Sequence, residues 1–369
     1  MSYIISRELS DQIAMTGVKY KDNHPGGISA VVQYWSQYIE NLRYYPTFKE
    51  GSKLSKILIF VLSFIRLFFT FFLDKRIKIV HVHTAAGSDF KRSARIINLA
   101  KTFGKKVILH SHASQFKEYY SKSNEKKKTW IVDTLKKVDV LIALSESWKE
   151  YFVGIGVDSN KIIVLHNITA YPTVLDDSKN ARKVDINNRP VRFLFMGEIG
   201  QRKGVFDIIR GLSTHRDEVI GKLELRIGGN KMETELRKSI EDGNLSKIVK
   251  FEGWISGEKK IELLNWADVY ILPSFNEGLP ISILEAMSYK MPIISTPVGG
   301  IPEVVDQNNG IIVTPGNDEE IYAAMKYYVY NKEYVAVHGM ESYNRSEAYL
   351  PNFVLKHLKQ IYETLLIGN

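Results

Sequence analysis

Two acidic residues beside a glycine turn are the most informative feature of the sequence. The stretch PSFNEGLPISILE, residues 273–285, follows a short apolar run that predicts a strand, and its second proline suits the first turn of a helix. The backbone amides of Gly278 and Leu279 would point from that helix N-terminus toward a bound anion. Glu277 and Glu285 can face the same side and accept hydrogen bonds from hydroxyl groups. The pattern favours a ligand with both phosphate and sugar hydroxyls, although a loop glutamate and a surface glutamate would give the same spacing.

A second glycine-rich segment, GEIGQRKG at residues 197–204, also lies between a predicted strand and a predicted helix. Glycines such as Gly197 let the backbone approach a ligand closely, and Arg202 and Lys203 place two cations in the same turn. The segment lacks the Gly-Lys-Ser/Thr ending of nucleotide-hydrolase loops and the spacing of the dinucleotide fingerprint. It predicts a diphosphate-binding loop, with a plain solvated turn as the alternative.

The first half of the chain offers a third glycine turn and two pairs of histidines. Gly26 and Gly27 precede a predicted helix and would line its N-terminus, unless they form an ordinary tight turn. His-x-His pairs end two successive predicted strands, at residues 81–83 and 110–112, and His112 reaches into the following loop. Because no acidic residue lies at metal-ligand spacing beside them, hydrogen bonding to a ligand is favoured over a metal site.

Short apolar runs alternate with amphipathic segments along the chain, as in parallel sheets covered by helices on both faces. Strands are predicted at residues 3–6, 79–83, 107–110, 140–144, 162–165, 192–196, 224–227, 248–251, 269–272, 293–295 and 311–313. Helices are predicted at residues 29–41, 93–103, 145–152 and 259–266. Ligands of such sheets bind at the carboxyl ends of the strands, where the glycine turns lie.

The chain is long enough for two domains of ordinary size. An N-terminal domain is predicted over residues 1–170 and a C-terminal domain over 191–345. The polar, aperiodic stretch 171–190 is the predicted linker, and residues 346–369 are predicted to form a helical segment that packs back toward the N-terminal domain. Two doubly wound domains joined in this way are expected to face a central cleft.

Composition narrows the classes of function. The chain has no cysteine, which excludes disulfides, thiolate zinc sites and cysteine nucleophiles. Residues 1–170 carry 26 Lys and Arg against 14 Asp and Glu, a net charge of +12, whereas the remainder has a net charge of −3. A basic first half favours a phosphorylated acceptor, an anionic membrane surface or nucleic acid as partner, unless it is simply a solvated surface. Nucleic acid is disfavoured because the aromatic residues form no recognisable stacking platform among the basic ones.

One segment is apolar enough to suggest contact with a membrane. Residues 57–73 (ILIFVLSFIRLFFTFFL) are interrupted only by Ser63, Arg66 and Thr70 at helical spacing, which predicts a helix with one narrow polar face. It falls short of the roughly 20 apolar residues of a spanning helix and has a central arginine. The sequence therefore predicts a helix packed into the domain, with its remaining apolar face against a membrane or a partner. The first residues lack the apolar run of a secretory signal, which favours a cytoplasmic location.

The longest ordered run of motifs resembles a known family. WADVYILPSFNEGLPISILEAM (residues 266–287) is followed by PIISTPVGGIPEVV (292–305) and NNGIIVTPG (308–316). This run resembles the Glu-x7-Glu region and glycine-rich sequel of glycosyltransferase family 4, and HPGGISAVV, VHVHTAAGSDF and GKKVILHSHASQF resemble its first half more loosely. The resemblance implies an α/β chain of GT-B fold with two Rossmann-like domains, an acceptor-binding N-terminal one and a nucleotide-sugar-binding C-terminal one. The sequence is similar to those of retaining bacterial enzymes that build capsule, exopolysaccharide or lipopolysaccharide.

The resemblance implies a role for each residue of the second-half site. Glu285 would bind the ribose hydroxyls of a nucleotide diphosphate sugar, and Glu277 would lie near the transferred sugar. Gly278 and Leu279 would give backbone contacts to the diphosphate or the sugar. Lys203 matches the family's diphosphate lysine.

The remaining implied roles fall on three turns. Gly27, with Gly26 beside it, would approach the donor phosphate, and His112 matches the histidine that approaches the donor sugar. The family often has Gly-Arg at the start of its phosphate loop, whereas Glu198 stands at that arginine position here. Arg202, at the other end of the loop, is expected to supply the missing positive charge.

The expected chemistry follows from charge. Breaking the bond between sugar and diphosphate builds negative charge on the leaving group, which Arg202, Lys203 and a helix N-terminus would stabilise in place of a metal ion. No Asp-x-Asp motif is present to hold a metal. His112, Glu277, Lys203 and Arg202 are therefore the predicted catalytic residues. No cofactor and no metal are expected, only the nucleotide diphosphate sugar, with UDP favoured over GDP.

The expected partners are this donor, a glycan or lipid-linked glycan acceptor, and an anionic membrane surface, but no nucleic acid. The membrane contact is predicted for the basic domain and the 57–73 helix, with Leu67, Phe68 and Phe71 hypothesised on the membrane-facing side. Two other classes stay open. One is a nucleotide-sugar epimerase or a phosphorylase of the same architecture. The other is a non-enzymatic polyanion- or membrane-binding protein, which would leave the carboxylate pair and the cationic loop without a use.

Overall fold

The chain folds as two compact units. The first unit contains Met1–Ile168 and Leu350–Asn369, and the second contains Thr169–Tyr349. The computed structural model describes residues 3–20, 26–112, 114–173 and 185–367. Most of the predicted linker, residues 174–184, therefore lies outside the described residues.

The first unit is built on six parallel strands in the order β2-β1-β3-β4-β5-β6. The strands are β1 (Ile13–Val18), β2 (Tyr44–Phe48), β3 (Ile79–Thr84), β4 (Lys106–Ser111), β5 (Val140–Ala143) and β6 (Ile162–Val164). The helices that accompany them are α1 (Arg7–Ser10), α2 (Gly27–Trp35), α3 (Lys53–Leu73), α4 (Ser88–Thr102), α5 (Phe116–Ser121), α6 (Glu125–Lys136) and α7 (Glu146–Gly154).

Alternation along the central strands divides the core of the first unit into two faces. Val80 and Val82 of β3 point into a large apolar cluster with α3, α4, α6 and α7. Their neighbours His81 and His83 point to the other face, where Trp35 of α2 packs against both rings. A period of two therefore separates an apolar face from a face of buried histidines.

One predicted strand is wrong, and two strands of the structure, β1 and β2, were not predicted. Residues 3–6 form no strand; Ile5 makes a single bridge to Ile39, and α1 begins directly after it. The first strand is β1, which pairs with β2 on one side and β3 on the other. The sequence concealed β2 because Pro46 lies inside it, and proline is tolerated in a sheet only at an edge such as this one.

The predicted apolar helix is present as α3, and its narrow polar face points inward. The Ser63 hydroxyl donates to the Pro46 carbonyl of β2 at 2.6 Å. The Thr70 hydroxyl lies 3.1 Å from that of Tyr45 on the same strand. The polar stripe therefore hydrogen-bonds to the edge strand, and the apolar face of the helix is turned away from the sheet.

This orientation corrects the expected membrane-facing side. Leu67 and Phe71 lie in the turns next to the polar stripe and are fully buried in the core, so their predicted contact with a membrane is wrong. Phe68 is 42% exposed and does point outward. Among the described residues, α3 is the one helix whose length and composition would allow it to cross a membrane, and 17% of its most apolar stretch is buried.

The second unit also has six parallel strands, in the order β12-β11-β10-β7-β8-β9. The strands are β7 (Val191–Met196), β8 (Leu223–Gly228), β9 (Val249–Gly253), β10 (Val269–Leu272), β11 (Ile293–Ser295) and β12 (Gly310–Ile312). The helices are α8 (Val205–Thr214), α9 (Arg216–Val219), α10 (Glu233–Asp242), α11 (Gly257–Trp266), α12 (Ile281–Ser288), α13 (Asp318–Tyr330) and α14 (Glu333–Ser346), and α15 (Pro351–Ile367) then joins the first unit. The predicted class, two doubly wound parallel α/β units, is confirmed.

The strand order of the second unit reverses between β7 and β10, which lie side by side although other strands separate them in sequence. The loops that follow the two strands at such a reversal leave a crevice for a ligand at the carboxyl ends of the strands. Gly204 lets these loops meet: its φ is +71°, and a Cβ at this position would lie 2.1 Å from the Pro273 carbonyl oxygen. Only glycine fits there.

Replacing Gly204 with alanine should therefore lower the free energy of unfolding of the second unit. The matched control is Gly221→Ala, because Gly221 has a similar φ of +75° but no atom of the described ranges lies within 4 Å of its Cβ position. We expect the control to lose about 1 kcal/mol from its left-handed backbone. Gly204→Ala should lose about 1–3 kcal/mol more from overlap. Urea unfolding followed by tryptophan fluorescence measures both, and equal losses would show that the close approach is not needed.

Candidate active site

The loops after β7 and β10 of the second unit are joined by hydrogen bonds. The Phe275 amide donates to the Arg202 carbonyl at 2.8 Å. The Arg202 guanidinium returns a hydrogen bond to the Asn276 carbonyl at 3.2 Å. The sequence predicted a functional loop after each strand, and the structure brings the two loops together at the reversal point.

A nearly buried carboxylate lies at the centre of this junction. Glu277 accepts hydrogen bonds on Oε1 from the Lys203 ammonium at 2.5 Å and from the Ser274 hydroxyl at 2.7 Å. The Arg202 Nη1 atom is 3.9 Å from the same oxygen. The side chains of Glu277 and Lys203 are only 7% and 14% exposed. Two cations and one anion therefore leave an excess positive charge at the loop pair.

The backbone beside Glu277 is shaped by two further glycines. Gly299 has a φ of +58°, and a Cβ there would lie 2.1 Å from the Glu277 carbonyl oxygen. The Gly300 amide donates to the Gly278 carbonyl at 2.7 Å. Leu279 is buried, and α12 begins two residues later. The start of α12 thus follows Glu277 by four residues, and its first amides favour an anion.

Glu285, in the middle of α12, is held by a different cation. Its Oε1 atom accepts from the Lys260 ammonium of α11 at 2.6 Å, and the residue is buried. Tyr270 of β10 lies beneath the loops, and its hydroxyl donates to the Met196 carbonyl at 2.9 Å. Burial raises the pKa of Tyr270 well above its usual range, and the negative charges of Glu285 and Glu277 raise it further. The negative charges of both glutamates therefore influence the same buried hydroxyl group, that of Tyr270.

The start of the loop after β7 is a tight backbone crossing. A Cβ on Gly229 would lie 2.0 Å from the Gly197 carbonyl oxygen, so the chain ends of β7 and β8 touch there. Glu198 points to Lys231, with 2.7 Å between its Oε2 atom and the ammonium. The carboxylate that replaces the family's arginine is thus paired with a nearby lysine.

In the first unit, the glycine turn forms the start of α2. Gly26 has a φ of +128° and its carbonyl accepts the Ala30 amide at 3.1 Å. A Cβ on Gly27 would meet no atom of the described residues within 4 Å. Pro25, the first residue of the motif, lies outside the described residues.

The four strand-end histidines form a stack in the first unit. The rings of His81 and His83 lie 4.7 Å apart at 13°. His110 on β4 and His112, directly after β4, continue the stack. His83 Nδ1 is 2.8 Å from His112 Nε2, and His81 Nδ1 is 2.7 Å from the Tyr362 hydroxyl. Burial lowers the pKa of His81 and of His112 to about 3. All four imidazoles are neutral at neutral pH because burial also lowers the pKa of His83 and His110 well below its usual value.

The hydrogen-bond pattern assigns the proton on His112. His83 Nε2 is buried, and no described residue forms a hydrogen bond with it. A buried N–H without a partner is costlier than a bare lone pair, so His83 carries its proton on Nδ1 and donates it to His112 Nε2. His112 must then carry its own proton on Nδ1. It offers an N–H donor to a ligand.

The same stack is the one group of described residues that could hold a metal ion. Donor atoms of His81, His83 and His110 lie within 4.8 Å of one another. Zinc bound to imidazole has bond lengths of about 2.0–2.1 Å with converging lone pairs. Near-parallel rings do not converge in this way, and among the described residues no carboxylate joins the group.

Comparison with known proteins identifies the family. Residues 23–169 match the family model of Glycosyltransferase Family 4, and residues 176–345 match that of Glycosyl transferases group 1. The two matches together extend over most of the chain. The chain belongs to this family of glycosyltransferases.

Relatives of the glycosyltransferase agree with this assignment. It is 27% identical over 194 residues to the amylovoran biosynthesis glycosyltransferase AmsK of Erwinia amylovora, a match covering 51% of this chain and 46% of AmsK. The matched region thus spans about half the length of that relative.

Solved structures show the fold. Anabaena HepE, in complex with UDP and glucose, is similar with a TM-score of 0.73 at 16% identity, over 96% of this chain and 99% of HepE. Sucrose-phosphate synthase from Thermosynechococcus elongatus is similar with a TM-score of 0.77 at 17% identity, over 97% of this chain and 100% of that one. At such identities the likeness shows the fold, which is GT-B.

Three contributors to the site were missed by sequence reasoning. Ser274 lies inside the quoted motif, and its position three residues before Glu277 could have suggested the hydrogen bond. Lys260 lies on a helix 25 residues before its partner Glu285, so no local signal points to it. Tyr270 reads as an ordinary strand residue. The hydrogen bond of its hydroxyl to Met196 of the neighbouring strand depends on strand pairing.

The buried histidines make the first unit of the glycosyltransferase sensitive to acid. The unfolded chain protonates His81, His83, His110 and His112 below pH 6.5, whereas the folded state resists protonation, so their contribution is present above pH 6.5 and lost as pH falls. From pH 6.5 to 5.5 the loss should be about 1 kcal/mol per histidine, or about 4 kcal/mol together. Urea unfolding monitored through Trp35, which contacts the rings of His81, His83 and His110, measures it.

The second unit supplies an internal comparison. Ion pairs with Glu319 and Glu218 raise the pKa of the half-buried His215, so its contribution is present in acid and lost as pH rises. The unfolding transition of the second unit should therefore weaken less between pH 6.5 and 5.5. A first-unit transition that does not change over this range would contradict the burial of neutral histidines.

Proposed function

We propose that this enzyme transfers a sugar from a nucleotide diphosphate sugar to a glycan or lipid-linked glycan acceptor, with retention of anomeric configuration, in bacterial surface-polysaccharide synthesis. The observation that carries the proposal is the convergence of Arg202, Lys203 and the start of α12 at the reversal point of the second sheet. The biosynthetic role is supported by the relative AmsK, a glycosyltransferase of amylovoran biosynthesis. UDP as the carrier is supported by the UDP bound in the crystal structure of HepE.

The donor diphosphate binds over the loop pair. Lys203 neutralises Glu277 before any ligand arrives, and Arg202 adds the second cation. A diphosphate then replaces water around groups that are already placed, which is the arrangement that stabilises developing charge most effectively. As the bond to the sugar breaks, the leaving phosphate gains charge beside Lys203, Arg202 and the first amides of α12. No metal is needed in this proposal.

The two glutamates bind different parts of the donor. Glu285 accepts hydrogen bonds from the ribose hydroxyls, with Lys260 holding its carboxylate in place. Glu277, fixed by Ser274 and Lys203, accepts hydrogen bonds from the hydroxyls of the transferred sugar. Rigid carboxylates lose less conformational freedom when they bind.

The first unit contributes a hydrogen-bond donor in this proposal. His112 offers Nδ1–H to a hydroxyl of the transferred sugar, because its Nε2 atom accepts from His83. Gly26 and Gly27 carry no side chain, so the donor phosphate can approach the backbone at the start of α2 in this proposal. The acceptor binds the basic first unit, and transfer takes place at the cytoplasmic face of the membrane.

Binding of nucleoside diphosphates tests this proposal directly. We expect UDP, in a panel with GDP, ADP and CMP, to raise the melting temperature of the wild type, since a ligand at 100 times its dissociation constant adds about 2.7 kcal/mol of stability. Glu285→Gln should lose this shift because it removes the carboxylate that accepts the ribose hydroxyls. Glu235→Gln, at an exposed position on α10, is the matched control and should respond like the wild type.

The outcomes separate the candidates. A melting-temperature shift caused only by another nucleoside diphosphate would assign a different base to the donor and still support the proposed diphosphate site. Equal melting-temperature shifts in the wild type and Glu285→Gln would show that Glu285 does not bind the ribose. A sugar-nucleotide that is converted without any acceptor would identify an epimerase in place of a transferase.

A further inference from the structure

We infer that α3 docks this protein flat on an anionic phospholipid bilayer. Ten large apolar side chains of α3 are each more than 40% exposed, and they recur every three or four residues. They are Leu54, Ile57, Leu58, Val61, Leu62, Ile65, Phe68, Phe69, Phe72 and Leu73. Residues at these spacings share one side of a helix, so they form a continuous apolar stripe about 29 Å long.

The fold holds this stripe on the outside. The Ser63–Pro46 hydrogen bond and the buried Leu67 and Phe71 fix the opposite side of α3 against the first unit. The helix cannot cross the bilayer while these contacts last, because the strands at its two ends, β2 and β3, both pair with β1. A helix held in this way can only lie in the plane of the membrane surface, with its apolar side down.

Cations border the apolar stripe. Exposed Lys53 begins the helix, and the ammonium of Lys75 lies 5.6 Å from the ring centre of Phe72 near its end. Arg95 of α4 lies 5.9 Å from the ring of Phe60 on α3. Basic side chains next to an apolar stripe match the two layers of a bilayer surface, anionic headgroups above and acyl chains below.

A basic surface pocket adjoins the stripe. It lies between α4 and α6 and is lined by Lys91, Arg95, Lys127 and Trp130. Within the described part of the chain, no carboxylate forms an ion pair with these three cations, and Trp130 is 38% exposed. Tryptophan and lysine together are typical of the membrane–water interface. The pocket therefore has the chemistry to hold a lipid phosphate beside α3.

Charge favours a bilayer over a second copy of the chain. The first half of the sequence has a net charge of +12, and two copies packed through α3 would bring the same basic border against itself. An anionic membrane instead neutralises that charge. The inference depends on α3 and its border and not on the donor site, so it can fail while the proposed transferase stands.

Flotation with vesicles tests the apolar stripe in the full-length chain. Leu62→Gln, Ile65→Gln and Phe69→Gln together should lower partitioning into phosphatidylcholine–phosphatidylglycerol vesicles by about tenfold or more, because insertion scales with buried apolar area. The matched control, Ile220→Gln, Val337→Gln and Met340→Gln, changes three similarly exposed apolar residues of the second unit and should bind like the wild type. The UDP-induced melting shift should be unchanged in both variants.

The cations are tested separately. Lys91→Gln, Arg95→Gln and Lys127→Gln together should remove most of the preference for vesicles with phosphatidylglycerol over pure phosphatidylcholine, and added salt should do the same to the wild type. Vesicle binding that the α3 variant leaves unchanged would overturn the inference. Failure of the wild type to bind vesicles would overturn it as well. Dimers of the wild type that the α3 variant abolishes would show in that case that a second copy of the chain covers the stripe.

Discussion

The ion pair between Lys203 and Glu277 is the interaction on which the second unit's site depends. A lysine and a glutamate that are almost fully buried are tolerated only when each is paired and hydrogen-bonded, and Ser274 and Arg202 complete that requirement. The pair forms only if the loops after β7 and β10 touch. Gly204 allows that approach against Pro273, and Gly299 allows a similar one against the backbone of Glu277.

The local chemistry of this site could be predicted from the sequence, but its partnerships could not. Glycines, cations and carboxylates after apolar runs were enough to place two loops at the carboxyl ends of strands. The sequence could not show that Lys203 neutralises Glu277 or that Lys260 holds Glu285, because these pairs join residues 74 and 25 positions apart through strand order. Strand order depends on how the helices pack across the whole sheet. A local sequence pattern does not contain that information.

The histidines and α3 show the same limit in the first unit. Alternation predicted His81 and His83 at a strand end, whereas their stacking with His110 and His112 follows from the pairing of β3 with β4. For α3, periodicity predicted a narrow polar face but not its direction. The edge strand β2, unrecognised because of its proline, offers carbonyl and hydroxyl groups to that face, so the apolar side is left outward.

The central claim is that Lys203 and its loop bind the diphosphate of the donor. Calorimetric titration of the wild type and Lys203→Met with UDP and with uridine tests it most directly, since uridine lacks the phosphates. Loss of a charge-assisted hydrogen bond should weaken UDP binding about 10- to 100-fold and leave uridine binding unchanged. Equal weakening of both ligands, or no weakening of either, would contradict the assignment of this loop to the diphosphate.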